Sequence, residues 1–229
     1  MDKLFLKSYS AQSPHLQVRW VSYHIPKTAG SSLRLSFESA LTSKAVSGVY
    51  AHNGAKQLTL GRPLKLPKHC QLVHGHFRPR DEHLQMFPNA KTIVWLRDPV
   101  ERICSLVRHL LQEKGNHPQY LILKDMYLEK GVMSIEEIVV DLIINKTLPA
   151  HTSFYTNFFK KKSISSFDFV GSVHRYEEDI KNLGQMMNFD LDYKYLNVRG
   201  KGDNLISRVI LEELRTHLKH EYDIVKDYL

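Results

Sequence analysis

Twice in this chain a short β-prone run passes through a polar turn into an amphipathic helix. That pattern limits the fold more than any other feature. Residues Val18 to Tyr23 carry Val, Trp, Val and Tyr. The turn His24-Ile25-Pro26-Lys27-Thr28-Ala29-Gly30-Ser31-Ser32 follows, and then Leu33, Leu35, Phe37, Ala40 and Leu41 at helical spacing. Ser31 or Ser32 is placed to cap this helix. The second unit starts at Thr92-Ile93-Val94-Trp95-Leu96, turns at Arg97-Asp98-Pro99, and continues through Val100, Ile103, Cys104, Val107, Leu110 and Leu111. Asp98 suits its cap and Pro99 its first turn. Strands separated by helices pair in parallel and are covered by those helices, so the expected class is α/β with a mainly parallel central sheet.

Further elements fit the same class. Gln71-Leu72-Val73 reads as a strand running into His74-Gly75-His76, and Phe167 to Gly171 as another, followed by a helix from about Glu177 to Met187. Residues 42–69 read as loop with one short helix near Ala55 to Leu60, and Leu121 to Phe159 as mostly helical. Ile206, Ile210, Leu214 and Leu218, spaced by four, predict one long amphipathic helix at the C-terminus. Without repeats or a low-complexity linker, one domain over 1–229 is the economical reading.

With 42% hydrophobic and 24% charged residues, 229 residues bury a sizeable core, which excludes disordered and fibrous classes. The formal net charge of +8 points to an anionic ligand without identifying one. Two cysteines make no disulfide framework, and neither a signal segment nor a membrane span is evident, so a cytoplasmic location is expected. A catalytic domain separated from a Golgi membrane anchor fits the same residues.

In parallel sheets ligands sit at the carboxyl ends of strands, where both turns fall. In the first, small residues admit an anion to backbone N–H groups, the helix adds its positive end, Lys27 a point charge, and Thr28, Ser31 and Ser32 hydroxyls. It is not a Walker loop, because its lysine precedes the glycine. Residue by residue, an ordinary strand-to-helix turn fits equally well. Taken alone, the second turn is better explained by Arg97 and Asp98 pairing and capping, with Ser105 two turns into the helix. The His74-Gly75-His76 pair has no third ligand at metal spacing, but a histidine near its ordinary pKa can serve as a general base.

Together the two turns resemble the sulfotransferases that use 3′-phosphoadenosine 5′-phosphosulfate (PAPS), and are most similar to the carbohydrate branch containing heparan sulfate 2-O-sulfotransferase. The matching residues are those from His24 to Ser32 and Arg97-Asp98-Pro99-Val100-Glu101-Arg102-Ile103-Cys104-Ser105. Phe169-Val170-Gly171 with Tyr176-Glu177-Glu178 resembles a later junction of that family, so the likeness runs from about Val18 to the C-terminus. The resemblance implies a P-loop-like fold in which Lys27, Thr28, Ala29, Gly30, Ser31 and Ser32 bind the 5′-phosphosulfate. It also implies that Arg97 and Ser105 hold the 3′-phosphate. Arg199-Gly200-Lys201-Gly202 resembles the segment closing over that phosphate, although a surface loop explains it nearly as well. The implied base is His76 first and His74 second, with Lys27 at the leaving group, PAPS as donor, PAP as product and no metal.

Arg78 and Arg80, just past the histidines, are candidates for an acidic acceptor, and a saccharide hydroxyl is favoured. For Lys160 to Lys162 a solvated loop is preferred. Neither nucleic acid nor a membrane is an expected partner. An ATP-dependent kinase and a non-catalytic polyanion binder remain alternatives. The first lacks a Walker lysine, and the second a concentrated run of basic charge.

Overall fold

The computed structural model describes residues 14–113, 115, 117–131, 134–192 and 206–229. In chain order the elements are β1 Trp20–Tyr23, α1 Gly30–Leu41, β2 Val46–Val49, β3 Leu72–Gly75, β4 Lys91–Leu96, α2 Pro99–Glu113, α3 Pro118–Met126 and α4 Ile135–Ile144, then β5 Phe169–Ser172, α5 Tyr176–Met187, α6 Arg208–His217 and α7 Lys219–Val225. Single-turn helices at Ala55–Thr59, Glu82–Met86, Pro149–Thr152 and Phe154–Phe158 lie in the connections. The five strands pair in parallel in the order β2-β3-β1-β4-β5. The expected α/β class, a parallel sheet with helices against it, is the architecture found.

Two points differ from the sequence reading. Residues 42–69 contain an edge strand, β2, besides the expected short helix, because Val46 and Val49 are drawn into register with Leu72 and Gly75 of β3. The C-terminal apolar stripe belongs to two helices meeting at Leu218, whose buried side chain ends the packing row of the first.

By their internal contacts the described residues form two compact units, one drawn from residues 14–96, 158–192 and 228–229, the other from 97–157 and 206–227. The first holds the whole sheet. Strand side chains alternate between its faces, so Trp20, Leu72, Ile93 and Trp95 share one face. They pack under Leu33, Phe37 and Leu41 of α1 and Ile180, Leu183 and Met187 of α5. On the other face Tyr23 meets Phe77, His83 and Phe167. Burial on both faces is the usual state of a parallel sheet. The second unit is helical, its core formed by Ile103 and Val107 of α2, Ile138 and Leu142 of α4, and Leu214 and Leu218. Among the described residues no helix is long and apolar enough to cross a membrane.

Candidate functional site

At the carboxyl end of β1 the chain enters α1 through an unusual turn. Lys27 (φ 73°) and Ala29 (φ 63°) both take left-handed backbone conformations that side chains disfavour. Helix α1 starts at Gly30, so Ala29, not Ser31 or Ser32, occupies the cap position, and no side-chain hydrogen bond caps the helix. The two serines lie inside the first turn, Ser31 exposed and Ser32 buried. No acidic residue stands in that turn. Thr28 is fully buried and its hydroxyl donates to the Ile25 carbonyl at 2.8 Å, which leaves its N–H as its possible contribution to an anion. Alternating left-handed residues make a concavity of N–H groups, and an uncapped helix end adds positive potential. Such strain, of order 1–3 kcal/mol per residue, persists where the surroundings enforce it.

His24 supplies part of that enforcement. Its N–H donates to the Gly75 carbonyl at 2.8 Å, joining the ends of β1 and β3. Its ring lies where a Cβ on residue 30 would project, so only glycine fits there. Gly75 is equally constrained, since a Cβ would overlap the Val49 carbonyl of β2.

Three imidazoles gather at this strand end. The His24 ring stacks on His74 at 5.0 Å between centroids and meets His76 at 4.3 Å. Tyr50 presents an edge to His76 at 4.9 Å, and the Arg34 guanidinium lies 5.7 Å from the Tyr50 ring centroid. His74 has no exposed surface, and its Nδ1 is 2.9 Å from Oγ of Ser22, its register partner on β1. Burial pushes its pKa down to about 3, with the charges of His76 and Arg34 acting in the same direction. His24 is lowered well below the ordinary histidine value by burial and then by His74, His76 and Lys27. His76 is an exposed residue, and partial desolvation lowers its pKa as well. All three rings therefore stay neutral at pH 7. Among the described residues, Nδ1 of His24 and Nε2 of His74 are buried without a hydrogen bond of standard geometry.

Of the two arginines beyond His76, Arg80 is held by Glu82 through two contacts, Nε to Oε2 at 3.2 Å and Nη2 to Oε1 at 2.9 Å. Arg78 is exposed, and its backbone N–H donates to Thr59 Oγ1 at 3.3 Å.

The second candidate site lies in the helical unit. Arg97 directly follows β4, and its Nε donates to Glu101 Oε2 at 3.2 Å. The Tyr155 hydroxyl accepts from the Arg97 N–H at 3.2 Å and donates to the Arg97 carbonyl at 2.7 Å. Asp98 caps α2 as expected, its Oδ1 accepting from the Glu101 N–H at 3.1 Å. Its Oδ2 accepts from the Tyr222 hydroxyl at 2.7 Å and lies 3.7 Å from Arg215 Nη2. Ser105 is half-buried one turn beyond Glu101 on the same helix face. Arg199, Gly200 and Lys201 lie outside the described residues.

Among the described residues no group of three or more His, Cys, Asp or Glu side chains is arranged to hold a metal ion. The sequence reading missed the positions of His24, Tyr50 and Tyr155. His24 stood inside the quoted turn as a visible signal, whereas the other two act through contacts formed only in the folded chain.

No family model matches the chain, and no curated protein matches it. Among solved structures the chain is similar to a sulfotransferase from Alicyclobacillus acidocaldarius, at 9% identity and a TM-score of 0.47, over 92% of this chain and 94% of that one. A likeness at that level assigns no function.

Proposed function

We propose that this protein is a sulfotransferase that moves a sulfuryl group from PAPS to a hydroxyl, with a saccharide as the favoured acceptor. One observation carries the reading: two non-glycine residues in left-handed conformation open an uncapped helix end beside an exposed histidine whose pKa is lowered. The turn fits a phosphosulfate, since it offers N–H donors, no acid in the first helical turn, and Lys27. The resemblance of residues 24–32 and 97–105 to PAPS-dependent sulfotransferases selects this donor over other anions.

In this reading Lys27 and the backbone of residues 28–32 take the 5′-phosphosulfate, and Arg97 with Ser105 the 3′-phosphate. The acceptor oxygen bonds to sulfur while the bridging sulfur–oxygen bond breaks. Its electron pair leaves on the nucleotide phosphate, and the acceptor proton goes to His76. Charge grows on the leaving oxygen, where Lys27 and preorganised N–H groups act on it without reorienting. His76 suits the proton because its lowered pKa keeps it unprotonated, whereas His74 lacks any surface to meet an acceptor. Arg78 is better suited than Arg80 to meet an acidic acceptor, because Glu82 already engages Arg80.

Thermal stabilisation by adenosine 3′,5′-bisphosphate against AMP and ATP tests the reading, because a ligand raises the melting temperature according to its excess over its dissociation constant. The bisphosphate is expected to give the largest shift, and Arg97→Ala to abolish that preference. Equal shifts from all three nucleotides overturn the reading, and a shift from ATP alone favours a kinase. Lys27→Ala is expected to lower kcat about 10²- to 10³-fold, with a smaller loss of bisphosphate affinity. Equal losses would limit Lys27 to binding.

A further inference from the structure

Arg97 sits at a junction between strand and helix, where neither ladder fixes its backbone. One side chain does so instead. The Tyr155 hydroxyl hydrogen-bonds both main-chain groups of Arg97, at 3.2 Å to the N–H and 2.7 Å to the carbonyl. Tyr155 is itself fully buried. Its amide N–H donates to Glu221 Oε2 at 2.7 Å, and the N–H and hydroxyl of Thr156 donate to Glu221 Oε1 at 2.8 and 2.6 Å. Glu221 is almost completely buried, so these donors replace its lost hydration. The next residue, Tyr222, donates its hydroxyl to Asp98 Oδ2 at 2.7 Å. Two neighbours on α7 thus grip the Arg97–Asp98 turn, one through Tyr155 and one directly.

We propose that Tyr155 and Tyr222 are positioning residues that fix the Arg97–Asp98 turn for recognition of a nucleotide 3′-phosphate. The proposal rests on the reading that Arg97 binds that phosphate. The guanidinium reaches its ligand from a backbone whose freedom these two hydroxyls remove, and recognition of a compact anion is sensitive to displacements of about 1 Å. Neither hydroxyl needs to touch the ligand. Their loss should therefore weaken the response to the 3′-phosphate and leave the response to the rest of the nucleotide unchanged.

Titration calorimetry with adenosine 3′,5′-bisphosphate and with AMP tests this on the full chain. The variants are Tyr155→Phe, Tyr222→Phe, Arg97→Ala and, as a control, Tyr127→Phe, which removes a different hydroxyl hydrogen bond in the same unit (to Asp141, 2.6 Å). Tyr155→Phe is expected to weaken the bisphosphate about tenfold, and Tyr222→Phe about threefold, as for loss of ordinary buried hydrogen bonds. AMP affinity should stay within about twofold of wild type in both, the scale of a few tenths of a kcal/mol. Tyr127→Phe should lower stability and keep the bisphosphate-to-AMP ratio.

An unchanged ratio in Tyr155→Phe and Tyr222→Phe, or an equal loss for both ligands, overturns the proposal. Should Tyr155→Phe fail to fold, the ratio in Tyr222→Phe decides alone. A wild-type protein without preference for the bisphosphate, or a preference surviving Arg97→Ala, defeats the underlying reading instead. Those outcomes appear before either tyrosine variant is considered.

Discussion

The exits of β1 and β4 are both turns from strand to helix, yet they are finished in opposite ways. After β4, Asp98 caps α2, Tyr222 holds the other oxygen of Asp98, and Tyr155 holds the Arg97 backbone. After β1, Ala29 stands at the cap without a side-chain hydrogen bond, and His24 Nδ1 is buried with no hydrogen-bond partner among the described residues. The β4 junction is therefore closed by side-chain hydrogen bonds at its cap, whereas at the open β1 junction the cap residue makes none. In the proposed function the closed junction would act by holding Arg97, whose main chain Tyr155 bonds on both sides, in a fixed place.

The largest expected effect comes from Gly75→Ala, which attacks the open junction from beneath. The added methyl overlaps the Val49 carbonyl, a backbone group that also accepts the His76 N–H, so the strand end is expected to shift as a whole. A stability loss of about 3 kcal/mol or more is expected in urea unfolding, at the upper end for overpacking. A loss below about 1 kcal/mol would show that β2 and β3 separate easily, and the tight strand end would lose its meaning.

Acid should separate the two regions next. The sheet unit carries His24, His74, His76 and His83 with lowered pKa values, whereas the helical unit has His151, pushed down to about 4 mainly by burial. A histidine that titrates at about 3 when folded and near 6.5 when unfolded binds fewer protons in the folded state across that interval. Its contribution is therefore fully present above pH 6.5 and is lost as pH falls toward 3, at about 1.4 kcal/mol per pH unit. Replacing His74 by Phe together with Ser22→Ala removes that proton and both partners of the hydrogen bond. Urea unfolding at pH 7, 6 and 5 should then show a dependence flatter by about one proton. An unchanged slope would mean that His74 titrates normally.

The left-handed turn provides a third, smaller comparison. Ala29→Gly relieves a backbone conformation disfavoured by a side chain and should stabilise the protein by about 1 kcal/mol, measured in the same unfolding assay. The closed junction has no such reserve. A loss of stability on Ala29→Gly would remove strain from the case for an anion site.

Much of this was legible in the sequence, for reasons that separate local from long-range physics. The Arg97-Asp98-Pro99 turn was readable because a cap and a first-turn proline act within three residues, and Asp98 does cap α2. Strand β4 was readable from its unbroken apolar run. By contrast β2, Val-Ser-Gly-Val, has little strand propensity and exists through its register with β3. The serine cap failed because propensity places serine at caps, whereas the left-handed Ala29 starts the helix earlier. Tyr155 was invisible because its hydroxyl meets a residue 58 positions away. His76 was identifiable as a candidate base, but the surroundings that lower its pKa were not, because they depend on three loops converging.

The smallest expected effect tests how firmly the closed junction is closed. Glu101 holds Arg97 through a half-exposed pair at 3.2 Å, with 26% and 43% of the two side chains accessible. Pairs of this kind contribute about 0.3–0.5 kcal/mol, so Glu101→Gln should scarcely change unfolding. It should however remove a negative charge that competes for the arginine, and strengthen adenosine 3′,5′-bisphosphate binding about two- to threefold at low salt, with the gain shrinking as salt screens it. AMP, lacking the 3′-phosphate, should not share the gain. Weaker bisphosphate binding would reverse the assignment, making Glu101 a support that aims Arg97 and not a resident competitor. The arginine would then be held by three partners, with its backbone fixed by Tyr155, its neighbour by Tyr222 and its guanidinium by Glu101.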